Sequence, residues 1–368
     1  MVRVTLISKA AVVGAYQTKF VQIAAQGGIE LTVVAPPYWR EGGHRLALDP
    51  AHTRGYELVA APLALNGRYH VHFYPTLASI LRRTRPDLCH IDEEPYNLAT
   101  YLAARAARRQ GARVLFYTWQ NLYRRYPFPF GAMERWVYAH AEGAIAGSQA
   151  AAEVLRRKGY AGPIAEIPQF GVDPQFFRRL PEADEPRPFT IGFAGRLVEE
   201  KGLLVLADAV CGLPGDWRLL LCGQGPLQKA LAARFAAAGV VKRVTFEGQV
   251  SSQDMPRYLN AMDVLVLPSL TRPNWTEQFG RVLVEAMACE VPVVGSASGE
   301  IAQVIGDAGL VFAEGDAAAL RAYLVALRAD PQRRSALGTK GRARVLACYT
   351  QAQIAAQTVQ FYRSLCAP

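Results

Sequence analysis

The sequence predicts an α/β protein built as two open, parallel-sheet domains in tandem. Three observations carry that prediction. Short β-branched runs alternate with longer helical patterns from the first residue, and a proline-rich break divides the alternation into two series. The length of 368 residues also exceeds the roughly 250 to 300 at which a single core stops growing.

In the first series VRVTLIS, ELTVVAP, DLCHID, RVLFYT and GAIAGS read as strands, with Ala/Arg/Leu-rich segments such as YNLATYLAARAARRQ as helices between several of them. Such alternation builds parallel sheets from right-handed βαβ units. The stretch PQFGVDPQFFRRLPEADEPRP, from Pro168, has five prolines and no sustained period. It marks a linker, placed at 171–188. FTIGFAG, WRLLLCG, RVTFEG, DVLVLPS, VPVVGS and GLVFA then read as strands, with helical patterns near 202–211, 226–238, 252–261 and 280–289. The expected domains are residues 1–170 and 189–348, with the helix-spaced tail 349–366 packing back on the first. Open sheets place ligands at the carboxyl ends of their strands, here expected in the cleft between domains.

Composition narrows the function class. The chain is 51% apolar and 20% charged, an ordinary globular balance. No run approaches the ~18 apolar residues of a membrane span, and MVRVTLIS reads as a buried strand rather than a secretory leader, so the expected location is the cytoplasm. The six cysteines lack any CxxC spacing and read as reduced and structural. His70 and His72 would share one face of a strand, but no third ligand stands at metal spacing. The net charge of +10 is uneven: residues 1–175 hold 20 Lys+Arg against 13 Asp+Glu, leaving 21 against 18 for the remainder. A basic first half suits anionic lipid or an acidic substrate; no recognition motif supports nucleic acid.

Chemistry concentrates in the second half. FTIGFAG runs into RLVEEKG, so Gly195 lets a ligand approach the backbone while Arg196 and Lys201 converge on the same strand-to-helix corner. These are the ingredients of a diphosphate site. LLCGQGPLQKAL places Gly223 and Gly225 similarly but lacks the third glycine of a dinucleotide fingerprint, leaving a tight turn beside a ligand. In WTEQFGRVLVEAMACEVPVV, Glu277 precedes a helix that starts near Gly280 and Arg281, and Glu285 lies along it among apolar neighbours. Glu290 reads as an exposed helix end. Eight residues of continuous helix span about 12 Å, too far for the paired carboxylates of a hydrolase, about 5 to 9.5 Å apart. Two carboxylates flanking an anion-friendly helix start fit a nucleoside diphosphate sugar.

These residues resemble a retaining glycosyltransferase of the GT-B class, family 4 type (glycosyl transferases group 1), whose hallmark is Glu, seven residues, then Glu. Glu277 and Glu285 fit it, FAGRLVEEKG resembles the family's Arg/Lys corner, and DVLVLPSL and IPQFGVDPQFF resemble its strand before the Glu loop and its hinge entry. The resemblance implies two Rossmann-like domains whose parallel sheets face a central cleft. It implies catalytic roles for Arg196, Lys201 and Glu277, the cations neutralising the donor diphosphate. Glu277 with the backbone of Phe279 and Gly280 would hold the transferred sugar, and Glu285 the ribose. The implied donor site comprises Gly14, Gly195, Arg196, Lys201, Gly223, Glu277, Phe279, Gly280, Arg281 and Glu285. No metal or other cofactor is implied, and the sequence contains no Asp-x-Asp.

The first half departs from the family pattern. SKAAVVGAYQ offers Gly14 followed by Ala15 where a Gly-Gly is usual, and Thr118, Trp119, Gln120 and Asn121 stand where many members have a histidine. Gln120 can donate a hydrogen bond to a sugar hydroxyl but cannot titrate near neutrality. The expected acceptor side is Gln120, Asn121, Glu94 and Tyr96, receiving a glycan or lipid-linked acceptor; DEEPYNLA also reads as a helix-capping segment. NLYRRYPFPFGAMERWVY mixes arginines with aromatics and suits a lipid headgroup region, which would place the protein peripherally at the inner face of a membrane. The rivals are a serine hydrolase, which has Ala297 where the nucleophile belongs, a nicotinamide oxidoreductase, an epimerase of the same architecture, and a non-catalytic nucleotide-sugar-binding protein.

Overall fold

The computed structural model describes residues 1–42, 44–181 and 187–367. Residues 182–186 of the expected linker lie outside them. The chain divides into a first unit of residues 1–171 joined by the segment from Gln351 onward, and a second unit, Val172–Thr350. Val172 and Phe177, inside the stretch expected as linker, are buried in the core of the second unit.

The first unit contains β1 (Val2–Ile7), β2 (Ile29–Ala35), β3 (Tyr38–Glu41), β4 (His44–Ala47), β5 (Glu57–Ala60), β6 (Leu88–Ile91), β7 (Arg113–Thr118), β8 (Gly143–Ala146) and β9 (Ile164–Glu166). Seven of these form one sheet in the order β5-β2-β1-β6-β7-β8-β9, with every neighbouring pair parallel. Helices cover both faces of such a sheet, so its strands are continuous apolar runs. Every residue of β6 and β8 is buried. The remaining pair, β3 and β4, is an antiparallel hairpin outside the strands expected from the sequence.

The helix Gln351–Cys366 packs on the helix Thr18–Ala25, burying Ile354, Ala355, Val359 and Tyr362 in the first unit's core. Tyr362 Oη lies 2.6 Å from His90 Nδ1 in β6. Burial lowers His90 to about 3, so this imidazole is neutral and structural at ordinary pH.

His70 and His72, expected on one face of a strand, lie in a turn. The Val71 and His72 N–H groups both donate to the Arg68 carbonyl, a local bonding pattern that replaces a sheet ladder. The segment expected as a basic, aromatic docking loop is also partly ordered, because its second half opens the helix Phe130–His140. Trp136 packs edge-on against Tyr101 at 5.2 Å and Tyr126 stacks on Tyr96 at 4.0 Å. Tyr123 and Phe128 remain exposed, Phe128 at 87%.

The second unit contains β10 (Phe189–Ala194), β11 (Trp217–Cys222), β12 (Val244–Gly248), β13 (Val264–Leu267), β14 (Val293–Ser296) and β15 (Leu310–Phe312). They form a parallel sheet in the order β12-β11-β10-β13-β14-β15. Both sheets therefore reverse their winding once, between β1 and β6 and between β10 and β13. The crevice at the carboxyl ends beside such a reversal is where open α/β sheets bind ligands.

Candidate active site

At the reversal of the second unit, β10 ends into Gly195 and β11 into Gly223. The Gly195 N–H donates to the Cys222 carbonyl at 2.9 Å. A Cβ on Gly223, whose φ is +146°, would overlap the Gly195 carbonyl oxygen. Glycine is required there because the two turns lie back to back. Arg196 leaves this corner with its side chain 71% exposed, 3.4 Å from Glu200. Lys201 turns inward, its ammonium 2.6 Å from Glu277 Oε2 and 5.2 Å from the centre of the Trp275 ring.

Glu277 is 7% exposed and fixed from three directions. Ser269, two residues after β13, donates its hydroxyl to Oε2 at 3.0 Å. The Glu277 carbonyl accepts the Glu300 N–H at 3.1 Å. Gly299, at φ +53°, lies so close to that carbonyl that a Cβ would overlap it. Thr271 ties the same loops together, its hydroxyl near Ser298 at 3.0 Å and bonded to Glu314 at 2.7 Å. Ser296, one of the serines of the hydrolase-like run, donates to the Ser269 carbonyl. These hydroxyls therefore brace the Glu277 loop.

The helix Arg281–Ala288 starts from Gly280 in the left-handed region at φ +71°. Its start lies after Glu277, so the spacing of about 12 Å along one continuous helix does not describe the two carboxylates. Leu283, Val284, Ala286, Met287 and Ala288 are buried, which leaves Arg281 and Glu285 sharing the polar stripe. Arg281 Nε lies 2.8 Å from Glu285 Oε1. Burial raises the pKa of Glu285 and Arg281 opposes the rise. Glu290 is half-buried at φ +60°, 3.7 Å from Arg342, not the exposed helix end expected.

The corresponding crevice of the first unit contains a cavity of about 320 Å³ lined by Lys9, Trp39, Glu41, Tyr69 and the run Asp92, Glu93 and Glu94, among others. Lys9 follows β1 and the three acids follow β6. Asp92 accepts from Ser8 at 2.8 Å and from Gln169 at 2.9 Å. Lys9 lies 2.5 Å from Glu93 Oε2. Burial pushes Glu93 up, but Lys9 and His72 outweigh it and hold the carboxyl down to about 2. Glu94 accepts the Thr118 hydroxyl at 2.7 Å and the Trp119 N–H at 2.8 Å; burial nevertheless raises it to about 7.

The family models divide at the same place as the fold. The Glycosyltransferase Family 4 model matches residues 14–176, and the Glycosyl transferases group 1 model matches residues 188–330. The chain belongs to the group 1, family 4 glycosyltransferases. Over 156 residues it is 37% identical to a GDP-mannose-dependent monoacylated alpha-(1-6)-phosphatidylinositol monomannoside mannosyltransferase of Corynebacterium glutamicum, covering 41% of this chain and 40% of that protein. Over 217 residues it is 30% identical to a 2-deoxystreptamine glucosyltransferase of Streptomyces kanamyceticus, covering 54% of each. The chain thus spans about half the length of the curated relatives it matches. Anabaena HepE in complex with UDP shares the fold at a TM-score of 0.75 and 20% identity, covering 99% of this chain and 100% of that one. Sucrose-phosphate synthase of Thermosynechococcus elongatus does so at 0.71 and 21%, covering 99% of each. The fold class is GT-B, with two Rossmann-like α/β units.

Within this glycosyltransferase chain, Gly195, Arg196, Lys201, Gly223 and Glu277 gather at one crevice. Phe279, Gly280, Arg281 and Glu285 form the adjoining helix start. Gly14 belongs to the first unit, where Asp49 and Ala51 occupy the space beside its Cα. Of the expected acceptor residues, Glu94 lines the cavity. Gln120 is held between Lys158, which donates to its Oε1 at 2.9 Å, and Tyr126, 3.2 Å from its Nε2. Tyr96 stacks on that same Tyr126, and Asn121 is half-buried. Sequence reasoning missed Ser269 and Thr271, which brace Glu277, and Lys9 and Asp92, which line the cavity. Lys9 and Asp92 lie within two residues of the ends of β1 and β6, so the switch-point rule applied to the first series could have found them.

Proposed function

We propose that this protein is a retaining, metal-independent hexosyltransferase that moves a sugar from a UDP- or GDP-sugar to a glycan or lipid-linked acceptor, in polysaccharide or glycolipid synthesis. The observation that carries the reading is the crevice beside β10 and β13, where Lys201 pairs with Glu277 and Arg196 leaves the back-to-back glycine turns. The Corynebacterium relative, named as GDP-mannose-dependent, and HepE, solved with UDP, support a nucleotide-sugar donor.

In this reading Arg196 and Lys201 offset the negative charge that the leaving diphosphate gains as the C1–O bond breaks, a task that a metal ion serves in other sites. The acceptor oxygen bonds to C1 from the leaving-group face, and its proton passes to the departing phosphate oxygen. Glu277 with the backbone of Phe279 and Gly280 holds the sugar, and Glu285 takes the ribose hydroxyls. Because Lys201 already bonds Glu277, one cation links the sugar and phosphate subsites. A thermal-shift series with UDP- and GDP-sugars tests the donor assignment. At least one of them is expected to raise Tm with saturation, since ligand binding stabilises the native state; no shift with any of them would overturn it.

The exposed Tyr123, Arg124, Arg125 and Phe128 form the surface assigned to an anionic membrane. The protein is expected to float with anionic liposomes at low salt and to dissociate as salt rises. Absence of flotation at low salt removes the membrane assignment and leaves glycosyl transfer standing. Among the described residues no helix is long and apolar enough to cross a membrane.

A further inference from the structure

We propose that Trp275 is a positioning residue for glycosyl transfer: its ring holds the Lys201 ammonium between Glu277 and the diphosphate of the donor, so that one cation serves both subsites. The proposal rests on the glycosyl-transfer reading and gives that site an aromatic wall.

Lys201 reaches Glu277 along a flexible four-carbon stem that ends in a compact point charge. Its ammonium lies 2.6 Å from Glu277 Oε2, an oxygen that also accepts the Ser269 hydroxyl, and 5.2 Å from the centre of the Trp275 ring. A diphosphate entering this crevice offers the ammonium a second anion. Complete transfer to the phosphate would leave the buried Glu277 as an uncompensated charge, which is strongly unfavourable. An aromatic face attracts a cation through its quadrupole and carries no net charge. It therefore steadies the ammonium without drawing it fully from either anion.

A closed turn places this ring. The Arg272 N–H donates to the Trp275 carbonyl at 2.7 Å, and the Trp275 N–H to the Arg272 carbonyl at 3.1 Å. Pro273 and Asn274 stand at the tip, both of them residue types that favour turns. At the foot the Thr271 and Thr276 hydroxyls lie 3.3 Å apart. Glu314, after β15, accepts the Thr271 N–H at 2.5 Å and its hydroxyl at 2.7 Å. The turn is also tied to the segment that carries Lys201: the Leu270 N–H donates to the Glu200 carbonyl at 2.8 Å, and Arg272 lies 4.0 Å from Glu199. Ring and ammonium are thus set by bonded backbone before a donor arrives, and preset groups need no reorganisation as charge develops on the leaving group.

A wall that served only to fill space would need apolar volume, which leucine supplies. A wall that holds a cation needs a π face, for which tryptophan is the best side chain, phenylalanine a weaker one and leucine none. Steady-state kinetics of Trp275→Phe and Trp275→Leu with the nucleotide-sugar donor, and a thermal melt on each preparation, separate the two. Trp275 is half-buried at a turn, and both variants are expected to fold. Turnover, kcat, is expected to fall about threefold in Trp275→Phe and about tenfold in Trp275→Leu, the size of one well-placed cation–π contact. Donor KM should stay within about twofold, because the charge on the diphosphate grows as the bond breaks. A kcat in Trp275→Leu within about twofold of wild type, equal losses in the two variants, or a loss confined to KM would overturn the proposal. Should Trp275→Leu fail to fold, Trp275→Phe decides alone, and a kcat equal to that of wild type overturns it. Wild-type protein that turns over a donor, together with variants that match it, sinks this proposal and leaves glycosyl transfer standing. Wild-type protein that turns over no donor removes both.

Discussion

Replacing Arg196 with alanine is expected to lower kcat/KM for the nucleotide-sugar donor by about 10²- to 10³-fold, with Tm changing by no more than about 2 °C. The asymmetry follows from the position of the side chain. Arg196 is largely exposed and pairs with Glu200, four residues on, a kind of surface pair worth well under about 1 kcal/mol. Its removal therefore leaves the fold nearly unchanged. Its guanidinium rises from the turn where β10 meets Gly195, and a planar fork of donors suits a phosphate. Steady-state kinetics and a thermal melt on the same preparation check both halves of the expectation. Near-normal kcat/KM would remove Arg196 from the donor site.

Glu277→Ala is expected to abolish measurable transfer and also to destabilise the protein, because Lys201 and Glu277 form a mostly buried pair. Removing one partner strands the other, at a cost on the order of 3 kcal/mol. Lys201→Ala carries the same double penalty, so neither single variant separates chemistry from folding. The double variant Lys201→Met/Glu277→Leu does. Replacing a buried pair with apolar groups of similar volume is often neutral for stability, so Tm should recover while transfer stays absent. Recovery of transfer along with Tm would reduce the pair to a structural role.

Much of the second unit was legible in the sequence because its strands are unbroken apolar runs bounded by glycine turns. FTIGFAG, WRLLLCG and DVLVLPS each contain the strand now seen as β10, β11 or β13. The pairing of Lys201 with Glu277 was not legible, since it joins residues 76 positions apart through a turn whose direction is set by contacts in three dimensions. The turn holding His70 and His72 misled for a related reason: alternating residues imitate a strand wherever backbone bonds are local. The cavity of the first unit was legible in part, since Glu94 of the expected acceptor side lines it, although DEEPYNLA read equally well as a helix-capping segment. Trp39 reaches it from the β3–β4 hairpin, which the strand pattern did not reveal. Gln120 kept its expected place after β7, but Lys158 and Tyr126 claim its amide, and neither contact leaves a local sequence signal.

Release of nucleoside diphosphate from a panel of UDP- and GDP-sugars, with the anomeric configuration of the product read by NMR, tests the central claim most directly. The expected result is release from at least one donor, unaffected by a chelator, with the configuration of the donor retained and the rate reduced at least about 100-fold in Arg196→Ala. Absence of release from every donor, or release at an unchanged rate in that variant, would contradict it.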